Sequence, residues 1–492
     1  MSTLECIPSS PSQNRAGAFG AMWRKLFTGR GPWGFADQVL ISGTNFVTMV
    51  YAARGLGKTG FGEFSNVYNA LLFVNIIQVS MVSQPHNVLG TGHGRGQKYK
   101  DYTASTAAEQ VAILIVQTVI VLGFVLLAQA RGWNCQGLLL ALAAAMPAWA
   151  IQEFFRRILY TEGRRAAAFA NDIISYGGQA VWIVALYWLD LHKAPGAPAR
   201  LTGASALYVL AITSGVAAII GFLQVRPSMM GRISLKTWVE NWHFGKWLLG
   251  SEVLVYCSSL PMYMYLVTWF VDAGASGQLS AAQKLFGPTR IISYYLATVL
   301  PIQFAHQLAE GGNEALRRGM RQCSMRVLPI VGGFCLLIAL FARPLLSIFG
   351  RDFAAEPGVL AMYAMVAFAA YIQMVLSAAL TAKRVTRVIF IGTLGGALVT
   401  AVLSCVLIKW MGIYGALIGM LLTALVIAAL LWRGYHKSLQ VESTQRVIPP
   451  RDIASEEVTG GFPVIVTSAN EPPPELQDAA TRSALNPVVC ED

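Results

Sequence analysis

Residues 203–224 read GASALYVLAITSGVAAIIGFLQ and contain no charged side chain. An α-helix of 22 residues is about 33 Å long and crosses the ~30 Å hydrocarbon core of a bilayer. Similar runs recur along the 492 residues, which are 55% hydrophobic and only 13% charged, with a mean hydropathy of +0.52. A soluble protein carries about 25% charged residues. The sequence therefore predicts an all-α, polytopic membrane protein.

The apolar runs predict twelve membrane-spanning helices. Helices are the structure that such runs permit, because every backbone N–H and C=O group in hydrocarbon needs a partner within its own segment. The alternating segments of about ten residues that are typical of a membrane β-barrel do not occur in the sequence. The predicted spans are residues 34–54, 64–84, 106–129, 136–156, 167–189, 203–224, 246–270, 278–302, 324–345, 358–381, 388–409 and 413–432.

The positions of the basic residues indicate the orientation of these helices and exclude a nucleic-acid partner as the reason for the charge. The net charge is +12. Of the 37 Lys and Arg residues, 24 fall in the N-terminal segment and in the connections on the same side, whereas eight fall in the connections on the other side. Lys and Arg are concentrated in the cytoplasmic loops of membrane proteins. We therefore predict that both termini are cytoplasmic.

Comparison of the chain with itself at an offset of 215 residues indicates an internal repeat. The offset aligns Asp37 with Glu252, and residues 62–65 (GEFS) with residues 277–280 (GQLS). Six helices in each copy give the two copies the same orientation and place a cavity between them. The predicted organisation is an N-terminal cytoplasmic segment (1–32), two six-helix halves (33–226 and 227–433) and a disordered cytoplasmic tail (434–492).

Polar stripes on two equivalent predicted helices favour such a cavity. Ionisable groups within a membrane span are costly and usually face the protein interior or water. We therefore expect both stripes to line the cavity, with hydrogen bonding between helices as the alternative. The stripes are Asp37, Thr44, Thr48 and Tyr51 on the first helix, and Glu252, Tyr256, Ser259 and Tyr263 on the seventh.

Two cations in the eighth predicted helix give the strongest signal for a binding site. Lys284 and Arg290 lie about 9 and 18 Å along that helix, counted from residue 278, and Tyr294 follows Arg290 by one turn. Asn69 and Asn75 occupy the equivalent positions of the second helix.

The chemistry of this set suits a ligand that carries phosphate and sugar, because cations bind phosphate oxygens and aromatic rings stack on sugars. The alternative is an ion pair with Asp37 or Glu252 that only holds helices together. The predicted substrate-binding residues are Arg290, Lys284, Tyr294, Tyr263, Tyr256, Asn75 and Asn69, and the predicted coupling-ion residues are Asp37 and Glu252.

Other polar groups predict structural roles. Glu153 and Asp172 map near cytoplasmic helix ends, where pairing with Arg156 and Arg157 is favoured over a role in transport, and Glu109 is placed similarly. Neither the cysteines nor the histidines have metal-ligand spacing, and the phosphate-binding pattern GxxxxGK[ST] does not occur. We predict no cofactor, no metal and no ATP hydrolysis.

An ordered set of short motifs begins near the N-terminus. The motifs are FADQ (35–38), SGTNF (42–46), ARGLG (53–57), GFGEF (60–64), SQP (83–85) and, at the seventh helix, FGKW (244–247). This set resembles the start of bacterial oligosaccharide flippases, the Wzx-like polysaccharide transporter branch of the multidrug/oligosaccharidyl-lipid/polysaccharide exporter superfamily, whose fold is MATE-like. The long polar tail departs from that pattern.

This resemblance implies a function for the chain in the bacterial inner membrane. The family moves a lipid-linked oligosaccharide from the cytoplasmic to the periplasmic leaflet by alternating access. It also implies cationic residues that face a diphosphate, which Lys284 and Arg290 match by position. The implied partners are the lipid-linked glycan, membrane lipids and proteins of polysaccharide biosynthesis.

Other functions stay open at this point. A cation-coupled drug exporter of the same fold would be favoured by carboxylates at mid-membrane, and Arg290 counts against it. Coupling to H⁺ or Na⁺ would use Asp37 or Glu252. A membrane glycan polymerase or ligase would need a sizeable external loop, whereas the predicted loops are short, so we do not expect an enzyme. The D-R-x-G-R pattern of major-facilitator carriers does not occur after the second helix.

Overall fold

The computed structural model describes residues 31–94, 96–289, 293 and 295–447, and these residues form helices and no strand. The prediction of an all-α membrane protein is confirmed. In the described chain, seven helices are long and apolar enough to cross a membrane, or eight if a bent pair is counted as one span. Some of these helices contain two spans joined at a glycine break. Together with the shorter helices between them, they give twelve helices in the described chain, α1–α12.

The first half of the chain contains six of these helices. Two of them carry a π-helical turn, Val79–Ser83 in the second and Ile173–Gly177 in the fifth. The helices are α1 (31–56), α2 (58–92), α3 (Gln97–Arg131), α4 (Gln136–Thr161), α5 (165–191) and α6 (Gly203–Val225).

The second half contains the other six. The seventh helix is bent by 47° between its parts Leu235–Cys257 and Leu260–Phe270. Pro261 lies in the first turn of the second part, which agrees with the kink that a proline is expected to produce. The helices are α7 (Leu235–Cys257 and Leu260–Phe270), α8 (with its described helical parts Ala273–Lys284 and 295–310), α9 (313–340), α10 (Pro357–Ala382), α11 (386–411) and α12 (413–447).

Successive helices alternate in direction, which defines two ends of the bundle. The end at which α1 begins and α12 finishes is called the termini face. The end that carries the α1–α2, α7–α8, α9–α10 and α11–α12 connections is called the opposite face.

Two glycines produce the sharpest reversals of the chain. Gly57 (φ 68°, ψ −179°) separates α1 from α2, and Gly412 (φ 60°, ψ −135°) separates α11 from α12. A residue with a Cβ rarely adopts a positive φ of this kind. Both glycines fall in connections that the sequence predicted.

The offset of 215 residues reappears as a physical contact between α2 and α8. A Cβ added at Gly62 would collide with the carbonyl oxygen of Ala273, and one at Gly277 would collide with that of Lys58. The contact is reciprocal, because the offset relates Gly62 to Gly277 and Lys58 to Ala273. The hydroxyl of Ser280 also donates to that of its equivalent, Ser65, at 2.9 Å. These contacts join residues that the offset relates, and the internal repeat itself stays a prediction.

The last helix extends beyond its predicted end. We predicted a disordered tail from residue 434, but α12 continues to Val447. No proline interrupts the chain between Gly434 and Pro449, so nothing in that stretch breaks the helix. That part of the prediction is wrong. The rest of the predicted tail and the N-terminal segment 1–30 lie outside the described residues.

We expect Gly57→Ala to destabilise the protein by about 1–3 kcal/mol, because the substitution forces a side chain into a conformation that nearly only glycine adopts. The space around Gly57 is empty, so no steric clash contributes. Gly43→Ala is the matched control: its surroundings are equally open, its backbone is ordinary α1 helix, and it should be neutral or stabilising. Thermal unfolding in detergent measures both; equal midpoints would contradict the assignment.

Candidate functional site

Polar side chains of α2, α7 and α8 meet beneath the Gly62–Gly277 contact. The side-chain amide of Asn66 donates to the hydroxyl of Thr268 (2.6 Å) and accepts from the hydroxyl of Ser276 (3.1 Å). Its backbone carbonyl accepts from the Tyr265 hydroxyl at 3.0 Å. Asn66 therefore joins α2 of the first half to α7 and α8 of the second.

The next turn of α2 repeats this pattern. The amide of Asn69 donates to the sulfur of Met264 at 3.2 Å, and its backbone carbonyl accepts from the Tyr256 hydroxyl at 2.9 Å. The ring of Tyr256 also packs on Phe73, with centroids 4.9 Å apart. The structure thus brings together the predicted residues Asn69 and Tyr256. Both residues make contacts between the halves. These contacts and those of Asn66 are together called the polar seam.

Lys284 lies at the end of this seam. Its ammonium group is 5.8 Å from the ring centre of Tyr68 on α2, a distance typical of a cation–π contact. Lys284 is only half-buried and lies roughly 10 Å along α8 from Gly277. The structure therefore places the ammonium group of Lys284 between the halves, inside the closed end of the bundle; its contact with a substrate stays a prediction.

The bundle is closed at the opposite face by further contacts between the halves. The guanidinium Nε of Arg54 donates to the carbonyl of Ile348 at 2.7 Å, and the ammonium of Lys58 pairs with the carboxylate of Glu356 at 2.9 Å. Both acceptors belong to the connection between α9 and α10. These contacts and the Gly62–Gly277 contact are called the opposite-face lock.

Aromatic packing seals the same end. The buried ring of Phe61 on α2 contacts Phe353 at a centroid distance of 5.9 Å and Phe349 at 6.4 Å. Phe46 on α1 also contacts Phe349, at 6.1 Å. Three fully buried phenylalanines leave little space for water at the opposite face.

Closer to the middle of the bundle, α2 is less tightly packed. Residues 72–77 are all half-buried, whereas residues 64–66 are buried. Asn75, a predicted substrate residue, lies in this looser stretch, and its side-chain oxygen has no hydrogen-bond partner in the described chain. Arg290 and Tyr294, also predicted to bind substrate, lie outside the described residues.

Tyr263 does not line a cavity, and the prediction that it contacts substrate is wrong for this structure. Its side chain is 0% exposed. The hydroxyl lies within hydrogen-bonding distance of Thr400 (3.2 Å), Ser404 (3.0 Å) and Thr423 (2.7 Å). Tyr263 therefore fixes the second part of α7 to α11 and α12.

Asp37 belongs to a buried charge network within the first half. Its carboxylate pairs with the guanidinium of Arg156 at 2.8 Å and accepts a hydrogen bond from the Tyr160 hydroxyl. Arg156 also pairs with Asp172 (2.6 Å) and Glu153 (3.0 Å). The predicted pairing of Glu153 and Asp172 with arginine is confirmed. One guanidinium thus joins α1, α4 and α5 near the termini face.

The first predicted polar stripe, on α1, therefore does not face a cavity between the halves as predicted. Asp37 is 2% exposed, and the ring of Tyr51 packs on Tyr187 of α5 at 5.3 Å. These residues bind the first half together and do not line a cavity between the halves. Glu252, the predicted counterpart of Asp37, is half-buried on α7, and within the described residues it has no ion pair. Sequence alone could not distinguish a stripe that faces a cavity from one that faces neighbouring helices.

The first part of α7 is anchored to the first half at the termini face. Asn241 accepts a hydrogen bond from the Tyr102 hydroxyl (2.7 Å) and donates to the carboxylate of Glu109 (2.6 Å). The indole of Trp238 donates to the carbonyl of Ser105 at 2.8 Å. These three contacts all reach α3, and sequence analysis predicted none of them.

Solved structures with a similar fold are membrane transporters. A multidrug resistance MATE family transporter of the MOP superfamily, in an inward-facing conformation, matches with a TM-score of 0.65 and 13% identity over 83% of this chain and 96% of that chain. This chain has the MATE fold. The lipid II flippase MurJ, in an inward closed conformation, matches with a TM-score of 0.59 and 13% identity over 83% of this chain and 87% of that chain. An outward-facing conformation of a multidrug resistance MATE family transporter matches with a TM-score of 0.54 and 13% identity, over 84% of this chain and 94% of that chain.

No protein-family model matches the sequence, and no curated protein does. The resemblance to the polysaccharide transporter branch therefore stays a prediction, and the fold itself rests on the structural similarity.

Arg156→Ala should destabilise the protein by about 3–5 kcal/mol, because it leaves buried carboxylates without their counter-ion. The matched control is Arg157→Ala. Arg157 pairs with Glu153 at 2.8 Å, but its side chain is 37% exposed against 12% for Arg156, so the control should cost about 0–1 kcal/mol. Thermal unfolding in detergent compares the two; equal losses would show that Arg156 is not the centre of the network.

Proposed function

We propose that this protein is a flippase that moves a lipid-linked oligosaccharide across the membrane by alternating access. The observation that carries the proposal is the combination of a closed opposite face with a half-buried cation, Lys284, directly inside the closure. A site for an anionic group then lies between the two halves, directly inside the contacts that close the opposite face. The MATE fold, which transporters share, supports this assignment.

The orientation follows from the basic residues. The sequence has 24 Lys and Arg residues in the N-terminal segment and the connections on the side of the termini, and eight in the connections on the other side, so we take the termini face as the cytoplasmic one. The opposite-face lock then closes the periplasmic side, and the described state opens inward. The higher TM-score against the inward-facing MATE transporter (0.65) than against the outward-facing one (0.54) supports the same state.

The proposed ligand chemistry follows from the seam. A lysine ammonium is a compact charge that binds phosphate oxygens. Tyr68 supplies aromatic surface beside it, and Tyr256 and Tyr265 lie along the seam. A diphosphate with an attached glycan fits this combination. The lipid part of the substrate would stay in the bilayer while the polar part passes between the halves. Arg290 remains the predicted second cation.

Transport requires the opposite-face lock to open. Opening separates Gly62 from Gly277, breaks the Lys58–Glu356 ion pair and releases the Ile348 carbonyl from Arg54. Exposed ion pairs contribute about 0–1 kcal/mol each, so this lock is weak enough to reverse. The glycine contact supplies close packing without interlocking side chains, which allows the helices to part.

A second candidate is a cation-coupled small-molecule exporter of the same fold. Glu252, half-buried on α7, and Asp37, of which one carboxylate oxygen has no hydrogen-bond partner in the described chain, favour it. The same two groups are the proposed coupling sites for H⁺ or Na⁺ in a flippase. The nature of the substrate distinguishes the two functions.

The Lys284→Ala variant should lower transport of a lipid-linked oligosaccharide in reconstituted vesicles by about 10- to 100-fold, the value of a hydrogen bond to a charged group. Lys284→Arg should retain most of the activity. Lys246→Ala is the control, because Lys246 is also a partly buried lysine near an aromatic ring, Trp247, but lies near the termini face. Unchanged glycan transport in Lys284→Ala, or efflux of cationic dyes by the wild type instead, would favour the second candidate.

The double variant Ser65→Cys/Ser280→Cys tests alternating access itself. The two hydroxyl oxygens are 2.9 Å apart, so oxidation should form a disulfide that holds the periplasmic side closed. We expect transport to stop on oxidation and to return on reduction, with each single variant unaffected. Full transport by the cross-linked protein would mean that α2 and α8 do not separate during the cycle.

A further inference from the structure

α9 is the most peripheral of the candidate spans. Only 17% of its most apolar window is buried inside the protein, against 28–61% for the other candidate helices. Its outward side chains, among them Ile330, Leu336 and Leu340, are large and exposed. In a bilayer this helix therefore faces lipid along most of its length.

A groove of about 510 Å³ runs along this lipid-facing side, between α9 and the ring of Phe368 on α10. Its floor consists of residues at successive turns of α9, so that it follows the helix axis. The lining residues are Ser324, Met325, Leu328, Pro329, Gly332, Gly333 and Phe368.

Three residues of α9 create the groove. Gly332 has no side chain on the side that faces Phe368, and Gly333 has none on the open side of the helix. A Cβ at Gly332 would lie 3.3 Å from the Phe368 ring, whereas one at Gly333 would meet nothing within 4 Å. Pro329 cannot donate its backbone nitrogen to the carbonyl of Met325, so that carbonyl lacks its usual helical partner. The groove thus combines an apolar lining with one carbonyl group that lacks its usual helical partner.

Two arginines stand at the end of the groove nearest the termini face. Arg321 and Arg318 precede Met325 by four and seven residues, so both lie on the face of α9 that forms the groove. Both side chains are exposed, and among the described residues neither has an ion pair. The two arginines and the apolar groove therefore lie one after the other along the same face of α9.

We infer that this groove binds an anionic phospholipid, with its phosphate on Arg318 and Arg321 and one hydrocarbon chain between α9 and Phe368. From Arg321 to Gly333 the helix rises roughly 18 Å, close to the ~15 Å half-thickness of the hydrocarbon core. A chain that leaves a headgroup at the arginines therefore reaches the end of the groove near the middle of the bilayer. The site is outside the bundle and does not depend on the transported substrate.

The test uses the full-length protein in detergent, titrated with dioleoyl phosphatidylglycerol and followed by native mass spectrometry. Arg318→Gln/Arg321→Gln should raise Kd about 25-fold, since each basic residue near an anionic headgroup contributes about fivefold. Arg226→Gln/Lys98→Gln is the matched control: it removes the same charge from exposed positions on the termini face of the first half and should leave Kd unchanged.

The apolar part of the site is tested separately. Gly333→Leu should fill the groove without a clash and raise Kd for the dioleoyl lipid about tenfold, by excluding a few methylene groups. It should not affect dihexanoyl phosphatidylglycerol, whose short chains do not reach Gly333. Ile330→Trp, outside the groove lining, is the control for added bulk.

Several results would overturn the inference. Equal affinity for dioleoyl phosphatidylcholine would remove the role of the arginines as a site for anionic lipid. Displacement of the lipid by millimolar inorganic phosphate would show a free anion site in its place. Unchanged binding of the dioleoyl lipid to Gly333→Leu would show that no chain occupies the groove.

Discussion

The direct contact between the backbones of α2 and α8, at Gly62 and Gly277, is the constraint on which the arrangement of the site depends. In a membrane, where lipid is as apolar as most side chains, small residues let helices associate through close packing and polar bonds. The two glycines are related by the 215-residue offset, and their contacts with Ala273 and Lys58 are reciprocal. This contact fixes the register of both helices. Ser65 then meets Ser280, and Lys284 comes to lie against α2.

A second constraint is electrostatic and acts within the first half. A buried carboxylate is tolerable only with a counter-ion, and Arg156 serves three carboxylates at once. The half therefore contains its own cation at the junction of α1, α4 and α5. Lys284 has a different setting, since it is half-buried between the halves and contacts an aromatic ring. The two cations therefore differ in their surroundings: Arg156 holds helices of one half together, and Lys284 lies at the contact between α2 and α8.

Much of this arrangement could be predicted from the sequence because it depends on local features. Charge-free runs gave the spans, and the alignment of GEFS with GQLS gave the register that places Ser65 on Ser280. The pairing of Asp172 with arginine followed from position near helix ends. The direction of the polar stripes did not follow. Tyr263 has the same spacing whether its hydroxyl faces a cavity or meets Thr423, and only the packing of α11 and α12 decides between them.

The bent α7 is held at both ends by different helices. Its Asn241 contacts α3 at the termini face, and its Tyr263 contacts α11 and α12. The chain segment between α6 and α7 is consequently not what keeps the two repeats together. Cleavage between Val225 and Ser234 would leave two fragments that α7 still joins, in addition to the Gly62–Gly277 contact and the ion pair between Lys58 and Glu356. A split version of the protein, expressed as two polypeptides, should accordingly assemble.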